Sequence, residues 1–126
     1  MSTKTYSISQ LAAHFDITPR TIRFYEDQGL LAPERLKSRR IYREGDLIRL
    51  KLILRGKRLG FSLSEIRTTM ELYDIEGNEK AQLIFVLETI ETHARELEQK
   101  QEDILITLDE MKSVAKRIKK QLKEMD

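Results

Sequence analysis

The side chains best suited to chemistry are two arginines and a phenylalanine early in the chain. At about 100° per residue, Arg20, Arg23 and Phe24 fall on one face of a helix. Ile22 and Tyr25 fall on the other side. Arginine can donate two hydrogen bonds to guanine O6 and N7, and an aromatic ring can contact a thymine methyl group. This face therefore predicts base readout in the major groove of DNA. Alternatively, the arginines are ordinary surface residues and Phe24 packs on the hairpin that follows.

A strongly basic stretch lies between residues 35 and 58. It contains ten lysines and arginines against Glu44 and Asp46, a density that favours a polyanion as partner. Phosphate contacts position a protein on DNA without specifying sequence, and four side chains are candidates for them: Arg39, Arg40, Tyr42 and Lys57. Each could instead belong to a solvated basic face, and core packing is an equal alternative for Tyr42. Four others are interpreted as plain surface: Lys37, Arg43, Arg49 and Arg58.

Two short helices must position the arginine face. Ser7 and Gln10 form a capping box, which predicts that a first helix begins after Ser7. Thr18 followed by Pro19 predicts the start of a second helix, and Gly29 ends it about three turns later. Two short helices joined by a tight turn are typical of a helix-turn-helix motif.

The helical period is then lost from Leu30 to Arg43. This segment predicts a basic hairpin, or wing, with polar Lys37 and Ser38 at its tip. A third helix is expected after the wing, capped by Asp46 and ending near Gly60. The wing would therefore lie between the arginine-bearing helix and the third helix.

A fourth helix is predicted to begin at a second capping box, formed by Ser62 and Glu65. Its inner stripe is expected at four apolar positions: Leu63, Ile66, Met70 and Tyr73. A polar joint follows at residues 74–77. We therefore expect a winged-helix DNA-binding domain over residues 1–75 and a coiled-coil dimerisation helix over residues 76–126.

From residue 78 onward the chain has neither proline nor glycine, and its apolar residues repeat every seven positions. Seven consecutive d positions are apolar: Leu83, Ile90, Leu97, Ile104, Met111, Ile118 and Met125. Five of six a positions are apolar as well: Leu87, Ala94, Leu108, Ala115 and Leu122. This repeat predicts a coiled coil. Because so long a helix cannot bury its seam against the small domain before it, a partner helix is implied.

Charges at the e positions of the heptad indicate which way the partner helix runs. Glu91 and Glu98 precede residue 105, whereas Lys112 and Lys119 follow it. In an antiparallel dimer e faces e, so each glutamate meets a lysine about one dyad near residue 105. Parallel pairing would bring little ionic gain. The pattern therefore predicts an antiparallel homodimer.

Composition excludes several classes of function. The chain has 126 residues, 35% of them charged, and no cysteine, which excludes thiol nucleophiles, thiolate metal sites and disulfides. His14 and His93 lie far apart and lack a further ligand at metal-binding spacing, so neither a metal nor a cofactor is expected.

No segment is apolar enough for a membrane span or signal peptide, so a cytoplasmic location without a membrane partner is expected. No catalytic constellation stands out, so we expect no enzyme activity.

Several segments in combination resemble the MerR family of bacterial transcription regulators: Tyr6–Ala12, Thr18–Leu31, Arg40–Tyr42 and Leu59–Ile66. The resemblance extends to about residue 73, and the heptad tail is similar to the family's dimerisation helix. It implies a mostly α fold, with a winged helix-turn-helix DNA-binding domain followed by a long antiparallel coiled-coil dimerisation helix. It also implies a homodimer on an inverted repeat in double-stranded promoter DNA, which is bent and untwisted so that RNA polymerase meets realigned promoter elements.

The resemblance also carries residue roles. Arg23, Arg40, Tyr42 and Lys57 match DNA-contacting positions of the family, and Phe24 stands where the family often has a tyrosine, so a phenol-to-phosphate bond is lost there. Members that sense soft metals or oxidants use cysteines, which this chain lacks, so an organic effector is expected instead. The basic tail of the last helix could attract an anionic one, such as an acyl-CoA; alternatively, that tail is a solvated or glutamate-paired face. The stretch from Phe24 through Glu65 further resembles the branch that controls leucine and branched-chain acyl-CoA catabolism.

A sequence-specific transcription regulator is therefore the leading hypothesis. Two other classes stay open. The first is an architectural DNA-binding protein that uses the same winged helix without an effector. The second is a coiled-coil adaptor whose basic domain binds protein. The pattern of protection on DNA distinguishes the three classes.

Overall fold

The computed structural model describes residues 4–126, and most of these residues are helical. Within this range the elements follow in chain order: α1 Ile8–Phe15, α2 Pro19–Asp27, β1 Glu34–Leu36, β2 Arg39–Ile41, α3 Glu44–Arg58, α4 Leu63–Tyr73 and α5 Glu79–Glu124. The order of two short helices, a hairpin, two further helices and a long helix is the predicted winged helix-turn-helix architecture with its C-terminal extension.

The first two helices begin at the caps that the sequence predicts. At α1, the backbone N–H of Gln10 donates to Oγ of Ser7 at 3.1 Å, and the backbone N–H of Ser7 donates to Oε1 of Gln10 at 2.8 Å. At α2, the backbone N–H of Thr21 donates to Oγ1 of Thr18 at 3.2 Å, and Pro19 occupies the first helical position. Each cap satisfies amide groups that have no partner within the helix, so both helices have fixed starting points.

The wing is a hairpin with a two-residue turn. β1 and β2 pair antiparallel, with Glu34 opposite Ile41. Lys37 and Ser38 form the turn, and both have positive φ angles of 52° and 69°. Positive φ at both central residues matches the right-handed twist of the flanking strands. The predicted wing and its tip are therefore confirmed.

The start of α3 differs from the prediction. Asp46 does not precede the helix as its cap; α3 begins at Glu44, and Asp46 is the third helical residue. Its carboxylate accepts a hydrogen bond of 2.8 Å from the backbone N–H of Arg43. An acidic side chain at this position reaches back to the residue before the helix, as in a capping box. The capping role was predicted correctly, but the position of the helix start was wrong.

The hydrophobic core is built from α1 to α4 and from the segments that connect them. The buried apolar residues are Leu11, Ala12, Ile22, Tyr25, Leu30, Leu31, Tyr42, Leu50, Ile53, Phe61, Ile66 and Met70. Ile66 and Met70 confirm the inner stripe predicted for α4. Tyr73 does not: it is the last residue of α4, and it is 41% exposed. The predicted stripe is therefore wrong at its final position.

The close packing of α3 and α4 depends on Gly56. A Cβ atom at this position would lie 3.1 Å from Cγ1 of Ile66 and 3.7 Å from the ring of Phe61. Glycine inside a helix costs about 1 kcal/mol relative to alanine. The residue is therefore explained by this contact between helices, not by helix propensity.

Alanine substitutions at the two glycines of α3 should change stability in opposite directions. Gly56→Ala should lower the free energy of unfolding by about 1 kcal/mol, because the buried Ile66 side chain has little room to yield. Gly45→Ala should raise it by about 0.4 to 1 kcal/mol, since a Cβ there meets open space and alanine restricts the unfolded chain. Urea denaturation of both variants measures the two effects. Equal gains at both sites would show that α3 and α4 are not in close contact at Gly56.

The long helix α5 is continuous from Glu79 to Glu124, as predicted. The chain divides into two compact units, the first extending to Val86 and the second comprising residues 87–126. The seven apolar d side chains are all exposed, from 38% at Ile90 to 79% at Met125. Among the helices that the structure describes, none combines the length and apolarity that a membrane crossing would require.

Candidate nucleic-acid interface

Helix α2 separates an exposed basic face from a buried apolar face. Arg20 and Arg23 are exposed, and Phe24 is 44% exposed. Ile22 and Tyr25, on the opposite side, are 0% and 4% exposed and belong to the core. Burial raises the pKa of Tyr25. The helical period of the sequence therefore predicted correctly that the two arginines lie on the surface of α2. The buried residues on its opposite face hold the helix in place.

The ring of Phe24 packs against its neighbour on the same helix. Its centroid lies 5.6 Å from that of Tyr25, with the two planes inclined at 61°. Edge-to-face contacts of this kind are favourable for aromatic pairs. Because Tyr25 is buried, this contact restrains the ring of Phe24. Much of the Phe24 ring is nevertheless exposed and could contact a molecule that binds to this face of α2.

The wing presents its basic side chains unequally. Arg39 is exposed, whereas Arg40 is about one quarter exposed, and its Nε donates to Oε2 of Glu26 at 2.7 Å. Tyr42 is fully buried, and its hydroxyl donates to Oε1 of Glu26 at 2.5 Å. Burial, together with the hydrogen bond to Glu26, raises the pKa of Tyr42. For Tyr42 the structure therefore shows the core-packing alternative, while Arg39 and Arg40 lie at the surface.

Lys57 lies in the last turn of α3 and is exposed. It borders a shallow groove between α1 and α3 whose walls combine apolar and basic side chains, among them Phe15, Ile17, Lys51 and Arg58. A lysine at the rim of such a groove can reach a phosphate with its flexible side chain. Arg40 and Tyr42 are joined to α2 through Glu26, whereas Lys57 belongs to a separate element of the surface.

Two arginines hold the segment after α2 in place, and neither role was predicted from the sequence. Arg49 donates from Nε to the carbonyl oxygen of Leu30 and forms a two-pronged ion pair with Asp74. Nη1 of Arg67 donates to the carbonyl oxygen of Gln28 at 2.7 Å. The prediction that Arg49 is plain surface was wrong: its side chain is 18% exposed. These bonds fix the end of α2 and the start of the wing relative to α3 and α4.

Glu26 is a third residue whose role was not predicted from the sequence. It is the acceptor for both Arg40 and Tyr42, and its side chain is 9% exposed. Its two partners lie 14 and 16 positions further along the chain, so no local pattern links them to it. The only signal in the sequence was the presence of an acidic residue on a helix that is expected to approach DNA. Among the described residues, no cluster of three histidine or acidic side chains is arranged to hold a metal ion.

Comparison with known sequences identifies the family of this fold. A sequence model described as MerR HTH family regulatory protein matches residues 6–72, and one described as MerR, DNA binding matches residues 47–114. The HTH-type transcriptional regulator YfmP of Bacillus subtilis (strain 168) is 37% identical over 106 residues, which are 81% of this chain and 71% of YfmP. These matches cover both the winged-helix region and much of α5.

Two further relatives are a curated regulator that matches over part of its length and a regulator whose structure was solved with DNA bound. The HTH-type transcriptional regulator ZntR of Escherichia coli (strain K12) is 44% identical over 69 residues, 53% of this chain and 49% of ZntR. The chain therefore spans about half the length of this relative. The crystal structure of HiNmlR, a MerR family regulator lacking the sensor domain and bound to promoter DNA, aligns with a TM-score of 0.64 and 25% identity over 81% of this chain and 79% of that chain.

These findings confirm the resemblance to the family; the narrower resemblance to the branch for leucine and acyl-CoA catabolism stays a prediction. The family consists of transcription regulators, in agreement with the expectation that the chain is not an enzyme. Because the first family model covers more than half of the 126 residues, and YfmP matches over most of the chain, the protein belongs to the MerR family of DNA-binding helix-turn-helix transcription regulators.

Proposed function

We propose that this protein regulates transcription by binding promoter DNA as a homodimer, with α2 in the major groove. The observation that carries this proposal is the exposed face of Arg20, Arg23 and Phe24 on a helix whose opposite face is locked in the core. A rigid helix that presents two arginines suits guanine recognition, because bidentate contacts need a fixed geometry.

The basic side chains around α2 are assigned to phosphates. Arg39 and Arg40 would contact the backbone from the wing, and Lys57 would do so from the end of α3. Such contacts supply affinity that depends on salt and is shared by all sequences. Tyr42, which is buried, would not touch a phosphate itself; its hydroxyl binds Glu26, the carboxylate that also binds Arg40. The arrangement separates sequence readout on α2 from anchoring on the wing and α3.

Dimer formation is supported by the apolar seam of α5. Within residues 87–126, every apolar d side chain is exposed in the single chain. A contiguous exposed apolar stripe on a long helix is unfavourable in water and marks a contact surface. A second copy of the same helix supplies the matching stripe. We therefore infer a homodimer through α5, and a dimer with two-fold symmetry reads an inverted repeat.

The charges at the e positions support an antiparallel arrangement. Glu91 and Glu98 would meet Lys119 and Lys112 of the second copy about a dyad near residue 105. The charge at these e positions, which flank the apolar seam, thus changes from acidic before the dyad to basic after it. An antiparallel dimer pairs the two signs, whereas a parallel dimer sets each e position against a g position of its partner and brings little ionic gain.

Reversing the charges of the e positions should test this orientation. Lysines at positions 91 and 98 would face Lys112 and Lys119, so the double change should weaken dimerisation by about 0.2 to 1 kcal/mol per exposed pair. Reversing all four positions should restore it. Sedimentation equilibrium measures both variants, and distances between spin labels at Glu79 provide a direct check. Labels close to one another would show a parallel dimer and contradict the proposal.

The proposed regulation uses promoter geometry and a small effector. A dimer that bends and untwists the DNA between promoter elements would realign them for RNA polymerase. With no cysteine to bind a soft metal or react with an oxidant, the proposed effector is an organic anion. It would be attracted by the exposed basic side chains near the end of α5: Lys116, Arg117, Lys119, Lys120 and Lys123. Such an effector must bind one dimer arrangement better than another to change its population.

Footprinting tests the class of function. The full chain is titrated onto DNA from upstream of its own and neighbouring genes, and protection is mapped by cleavage. We expect a short protected inverted repeat within a promoter, with enhanced cleavage at its centre where the DNA is distorted. Broad protection without a preferred site would instead indicate an architectural DNA binder. Absence of any protection would indicate a protein-binding adaptor and would overturn the proposal.

A further inference from the structure

A carboxylate lies between the DNA-facing helix and the wing. Glu26 is on α2, and its two oxygens take different donors: Oε2 accepts from Nε of Arg40 at 2.7 Å, and Oε1 accepts from the hydroxyl of Tyr42 at 2.5 Å. The Glu26 side chain is 9% exposed and that of Arg40 25% exposed. One side chain therefore joins the second strand of the hairpin, and the residue just after it, to α2.

This location is unfavourable for an acidic residue without partners. A buried carboxylate loses hydration, and a negative charge beside DNA phosphates repels them. The two donors offset the loss of hydration, and the guanidinium of Arg40 neutralises the charge. Glu26 cannot serve simply as a charged surface residue that keeps the protein soluble, because its side chain is nearly inaccessible to water.

The wing is also fixed from its other side, at the same residue. The backbone N–H of Tyr42 donates to the carbonyl oxygen of Tyr6 at 2.9 Å, and the backbone N–H of Tyr6 donates to the carbonyl oxygen of Tyr42 at 2.8 Å. The Tyr42 ring is fully buried in the core. The base of the wing is thus held through the backbone and the ring, while Arg40, near its middle, depends on Glu26 for its orientation.

We propose that Glu26 is a positioning residue for DNA binding, which locks the wing to α2 and aims the guanidinium of Arg40. With Nε of Arg40 occupied by Glu26, the two Nη groups remain for a phosphate. The helix that reads bases and the strand that anchors the backbone then approach DNA as one rigid unit. This inference rests on the proposed function, since it assigns α2 and the wing to the same DNA site.

The substitution Glu26→Gln tests the proposal because the simplest electrostatic expectation has the opposite sign. Removing a negative charge near DNA should tighten binding. Positioning predicts the reverse: the neutral amide no longer neutralises the guanidinium of Arg40, and its single oxygen can accept from only one of the two donors, so the bond that orients Arg40 is weakened or lost. We expect operator affinity to fall about ten-fold, with a smaller salt dependence. Glu34→Gln is the matched control, since that wing carboxylate pairs with Arg43 at 2.9 Å but is exposed; its removal should leave affinity unchanged or slightly higher.

A double-mutant cycle with Arg40 separates positioning from a general loss of structure. Arg40→Ala should weaken binding about ten-fold in the wild-type background but less than about two-fold beside Glu26→Gln, because Arg40 is then already misplaced. Arg40→Lys retains the positive charge but not the planar fork, so it should also lose affinity. This variant keeps the test valid even where Glu26→Gln does not fold, which urea denaturation of each variant establishes.

The outcomes distinguish this inference from the proposed function. Wild-type or tighter operator binding by folded Glu26→Gln, or additive effects of Glu26→Gln and Arg40→Ala, would overturn the positioning role. Arg20→Ala and Arg23→Ala are measured on the same operator. When these two weaken binding and the Glu26 variant does not, only the positioning role fails. When neither arginine matters, the assignment of α2 to DNA fails as well.

Discussion

Alanine at Arg20 or Arg23 should weaken operator binding by about 1 to 3 kcal/mol and relax the preference for particular base pairs. Both side chains are exposed on α2, and neither contributes to the core, so the loss should come from DNA contacts. The preference should relax at different operator positions for the two variants, because the arginines are one helical turn apart. Binding titrations against operators with single base changes measure the effect.

Lys57→Ala provides the contrast to these two variants. A lysine that contacts only phosphate should lower affinity for all sequences alike and reduce the slope of log affinity against log salt by about one unit. Titrations at several salt concentrations therefore separate readout from anchoring. An unchanged sequence preference in both Arg20→Ala and Arg23→Ala would show that α2 is not the recognition helix.

Ile104→Lys should dissociate the proposed homodimer. Ile104 is a d position beside the proposed dyad near residue 105, so the antiparallel seam would place it close to Leu108 of the second copy. Each dimer contains the substitution twice, and each copy loses an apolar contact worth about 2 kcal/mol or more while burying a charge. We expect dimer affinity to fall at least about 1000-fold. Sedimentation velocity across a concentration series measures the change.

Ile106→Lys is a closely matched control for this variant. Ile106 is 59% exposed and Ile104 is 64% exposed in the single chain, so both isoleucines are similarly accessible before association. They differ in heptad position, since residue 106 lies on the outer face of the proposed coiled coil. Ile106→Lys should therefore remain dimeric and bind the operator normally. Equal dissociation by both substitutions would disprove the seam, whereas persistent dimers of Ile104→Lys would place the interface elsewhere.

The local signals of the sequence were sufficient for the ends of most elements. The pairs Ser7 with Gln10 and Ser62 with Glu65 act over three residues, so the caps of α1 and α4 need no knowledge of the rest of the fold. The same holds for the exposed face of α2, because a period of 3.6 residues assigns Ile22 to one side before any partner is known. The error at Asp46 was one of position within such a local motif.

Side chains at the margin of an element were harder to assign. Tyr73 fits the apolar period of α4, but it is the last helical residue and is 41% exposed, because period alone does not show where the underlying core ends. Tyr42 had two equal interpretations, since a tyrosine in a short strand can face either way. Its burial was decided by the core that forms beneath the wing.

The sequence by itself therefore determined the caps, the wing, the arginine face of α2 and the long heptad helix, all of which follow from rules that act within a few residues. Only the tertiary structure decided which charged groups meet. Glu26 joins Arg40 across 14 residues, and Arg49 joins Asp74 across 25. The choice among many carboxylates and arginines depends on how the helices pack, as does the requirement for glycine at position 56. The physical reason is that helical and heptad periods report which face of an element is apolar, whereas an ion pair depends on where two elements come together in space.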